Sequence, residues 1–150
     1  MLIGVISDTH GLVRPEALAA LVGSELILHA GDVGDPTVLV RLAEIAPVRA
    51  VRGNNDRGAW ADDIPLVDTI EAGGARIYLL HDAHELDLDA RAAGVQAVVA
   101  GHSHRPRLEV VDGVLHFNPG SAGPRRFKLP ISVGKLRVTR GTIKAEIVEI

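Results

Sequence analysis

The chain has 150 residues, 47% hydrophobic and 23% charged, enough for one packed core and unlike a disordered segment. A net charge of −3 excludes a strongly basic nucleic-acid clamp, and the absence of cysteine excludes disulfides, thiolate metal sites and thiol nucleophiles. No apolar run approaches the ~20 residues that cross a bilayer. The first residues have no basic stretch and turn polar at Ser7-Asp8, unlike a signal peptide, so one cytoplasmic domain spanning 1–150 is expected.

In chain order, residues 2–6 are continuously apolar and predict a buried strand. Pro15 opens a helix with Leu18, Leu21 and Val22 on one face, and Gly23 suits its end. Residues 26–28 form a second strand. Asp35-Pro36 is a cap followed by proline at the first helical position, with Val38, Leu39, Leu42 and Ile45 as the buried stripe, and Pro47 stops that helix. A third strand covers 48–51. Strands at 66–70 and 76–80 flank Gly73-Gly74 as a hairpin, a short helix over 88–93 is closed by Gly94, and 95–100 is again a buried strand. Beyond Arg107 the pattern is strands and turns: 108–111 and 114–117 around Asp112-Gly113, then 136–139 and 143–148 around Arg140-Gly141. Early βαβ units and a late β-rich half predict an α/β single domain, two β-sheets packed face to face as a sandwich with flanking helices. No GxGxxG follows the first strand, which argues against a plain Rossmann sheet.

The ends of the buried strands carry the chemistry. They run into Asp8-Thr9-His10, Gly31-Asp32, Gly53-Asn54-Asn55-Asp56, His81 and Gly101-His102-Ser103-His104. Strand carboxyl ends are where α/β sheets bind ligands, so residues far apart in sequence would converge there. Imidazoles, carboxylates and an amide without thiolate suit Mn, Fe, Zn, Ni or Co rather than a soft copper site. Asp8, His10, Asp32, Asn54, His81, His102 and His104 exceed the ~3 protein ligands of a single catalytic zinc, whereas two ions sharing a carboxylate would use them all. Gly31, Gly53 and Gly101 each precede a candidate ligand.

The ordered set Asp8-x-His10, Gly31-Asp32, Gly53-Asn54, His81 and Gly101-His102-x-His104 resembles the calcineurin-like metallophosphoesterases. The short length and Asn118-Pro119-Gly120-Ser121 resemble their small bacterial and archaeal phosphodiesterase branch, and the likeness runs over residues 7–121, with the terminal hairpin expected to close the second sheet. The resemblance implies a binuclear centre: Asp8, His10, Asp32 and His104 on one divalent ion, and Asp32, Asn54, His81 and His102 on the other, with Asp32 bridging. Manganese is the first choice of metal, and Ni, Co, Fe or Zn suit the same donors. A metal-bridging hydroxide would be the nucleophile for in-line attack on phosphorus, with no catalytic side chain beyond it. The implied substrate is a small phosphodiester or nucleotide-like molecule, with no membrane partner and no strong nucleic-acid signal; a homo-oligomer is compatible.

Two positions depart from the family pattern. Where many larger members continue Gly-Asn with histidine, this chain has Asn55, which cannot act as a general acid and suits good leaving groups or a proton from elsewhere. Where the family commonly has His-Gly, this chain has His81-Asp82-Ala83-His84, and His81 is preferred over His84 because it directly ends its strand. Asn55 and Arg125 are candidate substrate contacts, although Arg125-Arg126 reads equally well as an exposed basic pair, and so does Arg14. His29 reads as a satisfied core histidine or an orienting neighbour of a ligand, and His116 as structural. Trp60 either stacks on a base or covers the hairpin. A protein-binding scaffold like the small subunit of the retromer coat, or a phosphomonoesterase or nuclease using the same site, are the alternatives.

Overall fold

The computed structural model describes all residues, Met1 to Ile150. Strand β1 (Leu2–Ile6) pairs in parallel with β2 (Leu26–His29), and β2 with β3 (Val48–Ala50). The linking helices are α1 (Pro15–Leu21) and α2 (Pro36–Ala43). Asp35 caps α2 by accepting a hydrogen bond from the Thr37 N–H, and proline at the first position sacrifices no internal bond. A one-turn helix α3 (Ala59–Asp62) follows β3. Strands β4 (Val67–Ala72), β5 (Ala75–Leu80), β6 (Ala97–Val99), β7 (Arg107–Val111) and β8 (Val114–Asn118) form the second sheet, in the order β4-β5-β6-β8-β7. Within it β5, β6 and β8 are parallel.

The terminal hairpin, β9 (Ser132–Thr139) and β10 (Thr142–Glu149), corrects one expectation: it completes the first sheet, β10-β9-β1-β2-β3, with β9 antiparallel to β1. Val133, Leu136 and Val138 are buried on both faces, as a strand one place in from the edge requires. The helix expected over 88–93 is also absent. Asp89 accepts a bond from the Ala92 N–H and Gly94 turns left-handed, so the segment closes after one turn, too short to propagate. A 3₁₀ turn at Ala83–Glu85, capped by Asp82, stands upstream of it.

The main core lies between the sheets, where Ile3, Val5 and Leu28 meet Ile77, Leu79, Val99 and Phe117. Helices α1 and α2 cover the outer face of the first sheet through Leu21, Val38 and Leu42. The outer face of the second sheet is covered by the non-helical segment bearing Leu86 and Leu88. At one side of the sandwich Arg49 of β3 grips Asp68 of β4 with two 2.7 Å hydrogen bonds, joining the free edges of the two sheets. Phe117 packs over Gly134 of the opposite sheet, where any Cβ would strike its ring. Truncating Phe117→Ala should therefore lower unfolding free energy by about 3–5 kcal/mol in urea titrations, without changing which ions the protein binds.

Candidate metal centre

Strands β1, β2 and β3 of one sheet and β5 and β6 of the other end at the same rim, and each projects its loop there. The backbone at this rim is unusual. Asp8, His10, Asp32, His102 and His104 all lie in the left-handed region, with φ of 55°, 47°, 54°, 69° and 62°. Non-glycine residues rarely adopt it, and such strain gathers at functional sites because the surrounding bonds enforce it. The enforcing bonds are present: the Asp8 N–H donates to Gly31 O (3.0 Å), the His10 N–H to Asp32 O (2.9 Å) and the Gly101 N–H to His81 O (2.9 Å).

Asp8 is fully buried. Its Oδ2 accepts from Ser7 Oγ (2.6 Å) and from the His102 N–H (3.1 Å), tying the two sheets together. Its Oδ1 is buried without a hydrogen bond and faces three imidazoles, with Nε2 of His104 at 3.4 Å and those of His10 and His81 at 4.0 Å. Burial pushes the Asp8 carboxyl up, but the His104 imidazole, the Ser7 hydroxyl and the charge of His81 bring it below the usual carboxylate range. Asp32 accepts from the Asn55 N–H (2.9 Å) and from Asn55 Nδ2 (3.0 Å), and its Oδ2 stands between His81 Nε2 (3.4 Å) and His10 Nε2 (3.8 Å). Burial again pushes it up, and His81 and the two Asn55 donors hold it well below the ordinary range.

These atoms form two overlapping triads, Asp8–His10–His104 and Asp8–Asp32–His81. Ligands bonded to one ion at ~2.1 Å with tetrahedral angles stand about 3.4 Å apart, so the 3.4–4.0 Å separations fit divalent cations. The uncompensated Asp8 Oδ1 fits the same reading. His81 is set for this role because its Nδ1 donates to Ala30 O at 2.7 Å, which turns Nε2 toward the carboxylates as the nitrogen that would meet an ion. His102 is more exposed; its Nδ1 lies 3.3 Å from His81 Nε2 and its Nε2 3.8 Å from Asp82 Oδ2. Asn54 is exposed and shares a concavity with His81, His102 and Arg52, beside the triads rather than within them. His84 is 95% exposed, with its Nδ1 3.1 Å from Asp82 Oδ1 and outside both triads.

Other candidates take supporting places. Asn55 spends both its donors on Asp32, and Arg125 donates to Leu129 O within its own exposed loop. Arg14 reaches Gly123 O (3.2 Å), His116 is half-buried on β8, and Trp60 packs on the cluster beneath α1 and α2. His29 is a satisfied core histidine: Nδ1 accepts from the Gly31 N–H (3.1 Å), and Nε2 meets Thr9 Oγ1 (2.9 Å), whose own proton goes to Val33 O. Four residues that sequence reasoning left without a role hold the loops. Asp56 accepts from the N–H groups of Val33, Gly34 and Gly53. Asn118 donates to Gly101 O and Ser103 Oγ, and Ser121 donates to Asp8 O. Asp82 accepts from the His84 N–H, and its Oδ2 lies 3.8 Å from His102 Nε2. The only sequence signal for these was polar side chains beside glycine in the strand-end loops and in Asn118-Pro119-Gly120-Ser121. Gly53 and Gly101 are needed for close approach, since a Cβ at Gly53 would strike the Asp32 carboxylate and backbone, and one at Gly101 would strike Ser7 Oγ.

The model of the calcineurin-like phosphoesterase superfamily domain matches residues 1–141. A probable metallophosphoesterase of Methanothermobacter thermautotrophicus is 37% identical, covering 99% of this chain and 92% of that one. A Methanocaldococcus jannaschii protein named a phosphodiesterase is 29% identical over 80% of this chain and 83% of its own length. Among solved structures, an archaeal phosphodiesterase superposes with a TM-score of 0.82 at 23% identity, covering 99% of this chain and 100% of that chain. Vps29 of Chaetomium thermophilum does so with 0.80 at 22% identity, covering 100% and 97%. The chain belongs to the calcineurin-like phosphoesterase superfamily.

Burial lowers the His29 imidazole to about 4 from its ordinary 6.5, against the smaller opposing pull of Asp8 and Asp56. The unfolded chain then binds a proton that the folded one refuses between pH 6.5 and 4, so stability falls as pH falls through that window, by about 3 kcal/mol. Urea midpoints of the chelator-treated protein should show this slope, and His29→Gln, which keeps a donor and an acceptor but does not titrate, should flatten it.

Proposed function

We propose that the chain is a phosphodiesterase working with two divalent ions, manganese first among them, on small phosphodiesters or nucleotide-like molecules. The observation that carries this reading is the pair of triads sharing Asp8, whose buried Oδ1 has three imidazole nitrogens around it and no hydrogen bond. Membership in a phosphoesterase family and the phosphodiesterase name of one relative support it.

In this reading Asp8, His10, Asp32 and His104 would hold one ion and Asp32, Asn54, His81 and His102 the other. The position of Asp32 Oδ2, 3.8 Å from His10 Nε2 and 3.4 Å from His81 Nε2, supports counting Asp32 in both sets. Bound ions of this kind supply Lewis acidity, lower the pKa of water toward ~7 and neutralise phosphoryl oxygens. The chain's own contribution is preorganisation. Ser7 and the His102 N–H fix Asp8, Asn55 fixes Asp32, and Ala30 O fixes the ring of His81. These bonds hold the donors in place before substrate arrives. Position 55 offers no titratable proton for the departing oxygen, which favours ester arms that leave readily. A docking scaffold of the same fold has no chemical need for this donor set.

Metal analysis after dialysis against Mn²⁺, with turnover of bis(p-nitrophenyl) phosphate, tests the reading. Two ions per chain and hydrolysis abolished by chelator are expected. Asp32→Asn should lose at least 100-fold in turnover together with ion binding, whereas His84→Ala should leave both unchanged. A chain that takes up no ions and is inert with Mn, Ni, Co and Zn would instead be a scaffold. Asn55→Ala, which removes the Nδ2 bond to Asp32 and keeps the backbone one, should weaken ion affinity by about 10-fold while the fold persists.

A further inference from the structure

Beside the metal-facing rim, on the outer face of the second sheet, lies a cavity of ≈ 460 Å³. Its size is that of a site for a small organic ligand. Val98 and Ala100 of the β6 strand and its end, with His116 of β8, contribute to its lining, together with the 82–84 segment and the 101–107 loop. His102 and Asp82 line both this cavity and the concavity that holds Asn54 and His81, so the two spaces meet across the His102–Asp82 pair. A molecule reacting at the rim has this cavity as its neighbouring space.

The lining carries charge of both signs at different places. Arg107 is held by Glu109 through hydrogen bonds of 3.0 and 2.8 Å. Asp82 keeps its negative charge where the cavity meets the rim, its Oδ1 lying 3.0 and 3.1 Å from the N–H and Nδ1 of His84. Arg105 has no acidic partner within 4 Å, so its guanidinium is the unpaired positive charge of the lining. Next to it, Ser103 Oγ accepts from Asn118 Nδ2 and from the Arg105 N–H, which leaves the hydroxyl proton free to donate. An apolar wall with an unpaired fork of donors and a hydroxyl suits a planar or apolar body that ends in an anion.

We propose that this cavity is the subsite for one arm of the phosphodiester, and that through Arg105 it selects an arm carrying its own negative charge, such as a terminal phosphate. The inference rests on the phosphodiesterase reading for the identity of the reacting group, but the subsite can be read without turnover. Ring resonances of His116 are followed by NMR in the full-length, chelator-treated protein during titration with AMP, adenosine and inorganic phosphate. AMP should shift them saturably, at least fivefold more tightly than adenosine, and phosphate alone should move them little. Arg105→Ala should reduce AMP binding to the adenosine level. Equal binding of AMP and adenosine, a His116 signal indifferent to AMP, or AMP binding that survives Arg105→Ala would each overturn the subsite. With Mn²⁺ present, the dinucleotide pApA should be cleaved with a kcat/KM at least fivefold above that of ApA, and Arg105→Ala should bring the ratio near one. Failure to cleave either dinucleotide, with AMP binding intact, would count against the phosphodiesterase reading and leave the charged-arm subsite standing.

Discussion

Two buried carboxylates decide the architecture of the rim. Asp8 and Asp32 sit at the ends of adjacent parallel strands, almost without solvent, and a carboxylate taken out of water must find compensation close by. Hydroxyl, amide and backbone donors satisfy three of their four oxygens through hydrogen bonds or the Asn55 clamp. The fourth, Asp8 Oδ1, is left to the imidazoles. The loops carrying those imidazoles come from both sheets, so the same anions that would hold cations also hold the sandwich together at this end.

Much of this arrangement was legible before any coordinates. A continuously apolar 2–6 stretch reads as a strand buried on both faces, and Asp35-Pro36 starts a helix by capping chemistry that needs no tertiary help. The convergence of the Asp8, Asp32, Asn54, His81 and His102 loops followed from parallel strands sharing one carboxyl edge. The preference for His81 over His84 has a physical basis: the residue that directly ends a strand inherits the strand's direction, whereas three residues on, Asp82 has turned the chain into a 3₁₀ cap.

Other features were written in contacts that a linear reading does not contain. Alternation in 136–148 marks a hairpin but not its sheet; what decides is that β1 has a free side, which β9 fills with buried side chains on both faces. A helix at 88–93 looked favourable residue by residue, yet the Asp89 side chain and Gly94 close the turn before it can extend. Asp56, Asn118 and Ser121 act on backbone groups of loops up to 113 residues away, so the glycine-bearing loops around them mark their place but not their partners. The Asn55 hydrogen bonds to Asp32 belong to the same class of contact, since no local pattern joins positions 23 residues apart.

The left-handed turns at the rim have an evolutionary corollary. Aspartate, asparagine and histidine are the non-glycine residues that best tolerate positive φ, and they are also donors that hard and borderline cations accept. One chemical alphabet thus serves both the bend and the ligand. Exchanging a rim aspartate for asparagine keeps a residue that tolerates the turn while discarding its charge, so a lineage could lose cation binding in single steps while the apolar core between the sheets persists. A surface so unloaded would still be rigid, concave and well formed, ready for recruitment to a wholly different task.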